Sequence, residues 1–201
     1  MFSPILQSAF NAITGPARIH CIAAHLPAIY ILASHTDGPV VELGAGASTL
    51  ALLAGCAEKG TKLVSYDSNP ETKKKVFSYS KLSETDPVWN LWTHVTGDSV
   101  AVAKDWNNNT VSLLFIDTNH SYSVTTNELN AWYPKMKRGE SAAERGIICG
   151  HDYYLKRFKE GNVDKAVNEF MEKHKDEFFL QVLPNDQGLF ILWPAGNRTN
   201  G

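Results

Sequence analysis

Three cysteines in 201 residues, with no CxxC spacing among them, leave this sequence without a disulfide framework or a zinc-binding pattern. Cys21, Cys56 and Cys149 stand far apart among apolar neighbours and read as small buried hydrophobes of a reducing compartment. Long apolar runs are missing too. The stretch Ile19–Ala33 is broken by His20, His25 and Pro27 and falls short of the roughly 20 residues that cross a bilayer. The first residues show no basic region, apolar core and small-residue cleavage pattern, so the expectation is a cytoplasmic protein that meets no membrane. Nor is there an excess of one charge. Lys and Arg number 19 against 21 Asp and Glu, a net −2 that offers no global attraction for nucleic acid. The lysines at Lys73–Lys75 and at Lys135 and Lys137 have carboxylates nearby and read as solvated helix faces. There is no internal repeat, and no length for a second full core.

What is present is an alternation of short apolar runs and helical stretches, which argues for a parallel sheet covered on both faces. Val40–Leu43 is an apolar run ending in Gly44, and Thr49–Lys59 reads as a helix closed by Gly60. Lys62–Tyr66 and Leu91–Val95 are the next strands, with a helix opened by Asn69-Pro70-Glu71 between them. Gly97-Asp98-Ser99 caps a short helix reaching about Lys104, and Val111–Ile116 is a continuous apolar run suited to a central strand. A helix over Ser123–Tyr133, a loop insertion over Lys137–Arg145, a fifth strand Gly146–Cys149 and a helix Val163–Lys175 follow. Phe178–Leu183 and Leu189–Trp193 flank the turn Pro184–Gly188 as a hairpin. The expected fold is a doubly wound, Rossmann-like α/β domain of seven strands, mostly parallel with one antiparallel C-terminal strand. Residues 39–194 form its core and residues 1–38 a helical extension outside it.

In an open parallel sheet, ligands bind beyond the carboxyl ends of the strands, and the informative residues fall there. Gly44 and Gly46 allow a tight turn and close approach of a ligand to the backbone, and the following helix offers free N–H groups from about Ser48. A diphosphate dinucleotide fingerprint would place a third glycine where Thr49 stands. Glu42, just before the turn, repels a diphosphate but suits cationic or hydrogen-donating groups. Asp67 ends the second strand, where a carboxylate can accept both hydroxyls of a ribose, and Asp98 after the third can accept from the amine of an adenine. Acids at successive strand ends suit an adenosyl ligand without phosphates. A tight turn with no ligand would need the glycines but not these acids.

At this point the chain resembles the class I S-adenosylmethionine-dependent methyltransferases. The likeness rests on ELGAGAST (Glu42–Thr49), SYDSNP (Ser65–Pro70), GDS (Gly97–Ser99), FIDTNHSY (Phe115–Tyr122) and GIICGHDY (Gly146–Tyr153), and spans about Val40 to Trp193. The last two motifs are similar to those of small-molecule O-methyltransferases, some of which act on sugars of natural products. The resemblance implies S-adenosylmethionine as cofactor, held by Glu42, Gly44, Gly46, Ser48, Asp67, Asp98 and Asp117.

A second constellation lies at the next two strand ends: Asp117 and His120 after the fourth, His151 and Asp152 after the fifth. Two carboxylates with imidazole can hold a divalent cation such as Mg²⁺, or supply a general base for a hydroxyl proton. In metal-dependent sugar O-methyltransferases of this resemblance, an acid after the fourth strand and an acidic pair after the fifth bind metal. Asp117 and Asp152 match; His151 replaces the first of the pair, and imidazole is a poorer ligand for Mg²⁺. Asp117, His151 and Asp152 are thus the metal set, and His120 and His151 the bases. Against this, Asp117 has an equal claim as a turn cap or cofactor contact, His151 is evenly balanced between site and structure, and His120 has a lesser claim as a turn residue. Tyr122 and Tyr153 read as hydroxyl-donating wall residues, the tryptophans as packing, and His20, His25, His35, His94 and His174 as members of no constellation. The acceptor is a small molecule, and the short N-terminal part leaves the pocket thinly roofed, which suits completion by a second subunit. Two rivals stand beside the transferase: an NAD- or nucleotide-binding Rossmann enzyme, disfavoured by Thr49 and Glu42, and a cofactor-binding regulatory protein that has lost transfer.

Overall fold

The computed structural model describes Ile5, Gln7 and residues 22–196; Cys21 and His20 lie outside the described residues. Seven strands form one sheet: β1 (Val40–Leu43), β2 (Leu63–Asp67), β3 (Trp92–Thr96), β4 (Leu113–Ile116), β5 (Ile147–Gly150), β6 (Phe178–Leu183) and β7 (Leu189–Pro194). Their order is β3-β2-β1-β4-β5-β7-β6. Only β7 runs against the rest, pairing antiparallel with both β5 and β6, as the hairpin reading requires. The helices are α1 (Leu26–Ser34), α2 (Ala47–Lys59), α3 (Thr72–Tyr79), α4 (Tyr122–Trp132) and α5 (Val163–Lys173). None of the described helices is long and apolar enough to cross a membrane.

β1 and β4 are buried at every residue because helices cover both faces, and alternation sorts their side chains between two cores. Val40, Leu113 and Phe115 pack towards α1 and α2. Val41, Leu43, Leu114 and Ile116 pack towards α4 and α5. The register sets Leu43 beside Tyr66 and Ile116, and Ile116 beside Gly150, so these strands end along one line. That shared edge carries the site.

Element ends shift from the sequence reading where side chains intervene. α2 begins at Ala47 rather than Thr49, because Thr49 Oγ1 accepts the Gly46 N–H at 2.9 Å and closes the first turn. β3 starts at Trp92, since Asp86 caps a 3₁₀ turn over Pro87–Leu91 by accepting from Val88 N at 3.0 Å. Asp98 caps the short 3₁₀ segment Ala101–Asp105, accepting from Val100 N at 3.0 Å and Ala101 N at 2.8 Å. α1, expected outside the core, lies within it: Leu26 and Ile29 are wholly buried in the same cluster as α2.

Below the sheet edge opposite the site, Glu177 gathers donors from three side chains. The Tyr133 hydroxyl lies at 2.5 and 2.7 Å, Arg138 Nη1 at 2.6 Å and His174 Nδ1 at 3.0 Å. Partial burial works to raise the Glu177 pKa, but these donors outweigh it and bring it down to about 2. A carboxyl lowered on folding stabilises above its unfolded value near 4.5, and that contribution fades as pH falls towards 2. Because Glu177 is over a third exposed, the screened contribution is about 1 kcal/mol. Glu177→Gln is therefore expected to lower the melting temperature by about 3 °C at pH 7 and by progressively less below pH 4. A shift that does not shrink with acidity would show that the carboxylate charge is not the source.

Candidate active site

The turn after β1 is forced by close packing. Gly44 has φ +85°, and a Cβ there would stand 2.0 Å from the Asp117 carbonyl oxygen at the end of β4. Asp117 N ties the β4 end to β1 by donating to the Leu43 carbonyl, and Gly44 N ties the turn to β2 by donating to the Tyr66 carbonyl, each at 2.8 Å. At Gly46 a side chain would meet nothing within 4 Å, so the backbone faces open space.

Glu42 is wholly buried beneath this turn. Its oxygens accept from Ser48 Oγ at 2.6 Å, Thr49 Oγ1 at 2.8 Å and Ser65 Oγ at 2.5 Å, and Trp92 Nε1 donates to Ser65 at 2.9 Å. Burial pushes the Glu42 carboxyl up to about 7, against the pull of the three hydroxyls. Glu42 and Ser48 were expected against a ligand; the structure has them bonded to each other, bracing the turn from below. Thr49, where a dinucleotide fingerprint would have glycine, is part of the same brace.

Above the turn a cavity of about 470 Å³ opens along the strand ends. β1 contributes Gly44 and Ala45, and β2 contributes Tyr66, Asp67 and Ser68. Gly97, Asp98 and Ser99 line it after β3, and Asp117, Thr118 and Asn119 after β4. Asp67 Oδ2 accepts from Ala45 N at 3.2 Å and Oδ1 from Asn69 N at 2.7 Å, which fixes the carboxylate at the rim. Asp98 is exposed and keeps one oxygen free of its own capping bonds, which use Oδ1. Behind the wall lies Glu128, missed in the sequence reading. It is wholly buried and accepts from Ser99 Oγ at 2.5 Å and Thr118 Oγ1 at 2.8 Å. Burial raises its pKa to about 7 while those hydroxyls pull it down. The signal was present: Thr125, Glu128, Leu129 and Trp132 recur at helical spacing, which sets a carboxylate on a buried face.

Beside the cavity the β4 and β5 ends bring their four residues together. His120 Nε2 stands 3.1 Å from Asp117 Oδ1 and 3.1 Å from Asp152 Oδ2. His151 Nδ1 stands 3.4 Å from Asp152 Oδ1. His120 and Asp152 both hold left-handed backbone, at φ 68° and 61°, a conformation that costs non-glycine residues energy and is retained where geometry matters. Burial opposes charge on both imidazoles, but Asp117 and Asp152 outweigh it and raise the two pKa values. Burial would raise Asp152 as well; His151 and His120 hold it below the usual carboxylate range. One ligand atom each from Asp117, His151 and Asp152 lies within 4.8 Å of the others, a span that fits a shared divalent ion. His120 is not one of the three.

His25, assigned to no constellation, is buried against His151, ring centroids 5.2 Å apart at 64°. Burial, then the neighbouring His151, lower its pKa. Neither its nitrogens nor His151 Nε2 find a hydrogen-bond partner among the described residues. No sequence pattern joins residues 25 and 151; only folding does. Neither Tyr122 nor Tyr153 lines the cavity; Tyr122 donates to Glu169 at 2.6 Å and Tyr153 to Asn168 at 2.9 Å, both on α5. Trp89, Trp92 and Trp132 are buried packing residues.

A seven-stranded sheet with one reversed strand near its end, a glycine turn after β1 and acids closing the next strands define the class I methyltransferase fold. The chain belongs to the methyltransferase domain family, which matches residues 41–153, more than half its length. No curated protein matches it in sequence. Among solved structures it is similar to a protein from Corynebacterium glutamicum (TM-score 0.68, 17% identity, 96% of this chain and 90% of that one). It is also similar to the O-methyltransferase TomG of Streptomyces achromogenes, involved in tomaymycin synthesis and solved with S-adenosylmethionine (TM-score 0.68, 15% identity, 96% and 91%). A methyltransferase of Podospora anserina with S-adenosylhomocysteine bound matches at TM-score 0.65, 13% identity, over 97% and 89%.

Proposed function

We propose that this protein transfers the methyl group of S-adenosylmethionine to a hydroxyl of a small molecule of the sugar or natural-product kind. The observation that carries this reading is that Asp117 belongs both to the cavity wall and to the acid–histidine cluster, so cofactor and acceptor chemistry share an edge. The role of TomG in making a natural product supports the acceptor class. S-adenosylmethionine supplies a methyl on a sulfonium, which leaves as the thioether S-adenosylhomocysteine.

The residues divide the rest. Gly44 and Gly46 let the cofactor come against the backbone, Asp67 accepts from its ribose hydroxyls, and Asp98 accepts from its adenine amine. Asp117, His151 and Asp152 fit a divalent cation, and an imidazole in the set favours Mn²⁺, Co²⁺ or Zn²⁺ over Mg²⁺. Such an ion would polarise and orient the acceptor oxygens. His120 takes the hydroxyl proton as the oxygen–carbon bond forms and the sulfur–carbon bond breaks. Asp117 and Asp152, each 3.1 Å from its Nε2, share the resulting charge. Holding oxygen and methyl in line removes most of the entropic barrier.

The test is production of S-adenosylhomocysteine from a panel of sugars, catechols and phenolic natural products, with and without Mn²⁺ and Mg²⁺. Acceptor-dependent product is expected. Tight cofactor binding with no product across the panel would favour the regulatory rival, and no binding would remove the cofactor assignment. Mn²⁺ is also expected to raise the melting temperature of the wild type by several degrees and that of Asp152→Asn by none. Equal shifts would place the ion elsewhere.

A further inference from the structure

The chain leaves the acid–histidine cluster at Asp152 and returns to it at Asn162, and the loop between, residues 153–161, has no helix or strand. Its outgoing end is fixed to the β6–β7 hairpin. Tyr153 N donates to the Gly188 carbonyl at 3.2 Å and Tyr154 N to the Gln187 carbonyl at 2.7 Å. Its returning end is fixed by Asn162, which is buried and accepts at Oδ1 from Arg157 N at 2.8 Å and Phe158 N at 2.9 Å. Asn162 bridges in turn to Ser121, the residue after His120, and Tyr122 N donates to the Gly161 carbonyl at 3.2 Å. The backbone at Arg157 is therefore tied to the segment that carries His120.

This loop carries Lys156, Arg157 and Lys159 against Glu160. Lys156 is paired with Asp164. Arg157 is exposed, lies over the Phe158 ring at 5.6 Å and forms no ion pair among the described residues. After burial and the two aspartates, its charge too is felt at His120. The cavity along the strand ends has the opposite character, with Asp67, Asp98 and Asp117 on its wall and no lysine or arginine. A cation left unpaired beside the acceptor chemistry, on a backbone held by a buried side chain, has a use if the acceptor brings the anion.

We propose that Arg157 is a specificity-determining residue that binds a carboxylate of the acceptor, so that the preferred substrates are hydroxylated carboxylic acids. The inference rests on the transferase reading above. A guanidinium presents a planar fork of donors that meets a carboxylate with two parallel hydrogen bonds, and it stays charged at every working pH.

The test is initial rates of the full chain on matched acid and amide pairs: protocatechuate and protocatechuamide, caffeate and caffeamide, glucuronate and glucuronamide. The acids are expected to lead in kcat/KM by about tenfold, through KM, the low end of what a hydrogen bond to a charged group contributes. That lead should shrink about threefold on raising NaCl to about 0.5 M, since an exposed charge pair is screened. Arg157→Gln is expected to bring the ratio to about two, and Arg157→Lys, which keeps the charge but not the fork, to about four. General loosening would weaken both members of a pair and leave the ratio alone. Affinity of both variants for S-adenosylhomocysteine should stay within about threefold of wild type, because Arg157 does not line the cavity. A larger loss would give the guanidinium to the cofactor's own carboxylate and overturn the proposal. Equal rates within every pair, or a ratio unmoved by Arg157→Gln, overturn it as well. No S-adenosylhomocysteine from any pair, with cofactor bound, overturns the transferase reading beneath it.

Discussion

Gly44→Ala is expected to abolish cofactor binding and to lower the melting temperature of the ligand-free protein by about 10 °C. Two costs combine. The residue holds φ +85°, which costs an L-amino acid about 1–2 kcal/mol. The new Cβ would also fall 2.0 Å from the Asp117 carbonyl oxygen, a backbone atom that cannot turn aside. Relief requires parting the ends of β1 and β4, which are held by Asp117 N on the Leu43 carbonyl. A combined loss of about 3 kcal/mol corresponds to about 10 °C for a chain of this size. Because Asp117 and the turn itself line the cavity, affinity for S-adenosylhomocysteine should fall more than about a hundredfold, read by calorimetry. Gly46→Ala is the control. Its Cβ meets nothing within 4 Å, so ligand-free stability should hold, while on the proposed cofactor site affinity should fall. If Gly46→Ala left affinity untouched, close approach of a ligand at that residue would be ruled out.

His120→Asn and Asp152→Asn are each expected to reduce turnover by about 10²–10⁴-fold, the range typical of a lost general base or its partner. Asparagine is chosen because both positions sit at positive φ, which it tolerates, so lost chemistry is not confused with lost backbone. Neither residue lines the cavity, so affinity for S-adenosylhomocysteine should stay within about threefold of wild type. The two losses should not add, because both act on the one imidazole whose Nε2 stands 3.1 Å from Asp152. Turnover by His120→Asn within a few-fold of wild type, on a confirmed acceptor, would remove His120 as the base.

Much of this edge was legible beforehand because strand ends announce themselves. Asp67, Asp98 and Asp117 each follow an apolar run, and such a run in an α/β pattern places its last residue at the ligand side. The glycine at 44 was legible for the same reason, although the sequence does not show that Asp117 is what crowds it. Glu42 misled. A carboxylate before a glycine turn reads as a ligand contact, and alternation alone could not tell that Ser48, Thr49 and Ser65 would enclose it from three directions. Glu128 and His25 went unread because their partners lie far off in the chain: Ser99 is 29 residues from Glu128, and the histidine facing His25 is at 151.

Element order, the reversed last strand, the glycine turn and the acids at the strand ends could all be read along the chain. These follow from local periodicity and from the few residues a turn or cap accepts. Folding alone sets which acids line the cavity and which serve as braces, shares His120 between Asp117 and Asp152, and seats a glutamate of α4 behind the cavity wall. The reason is that burial and hydrogen-bond direction belong to pairs of residues brought together across the sheet, and no spacing along the chain encodes them.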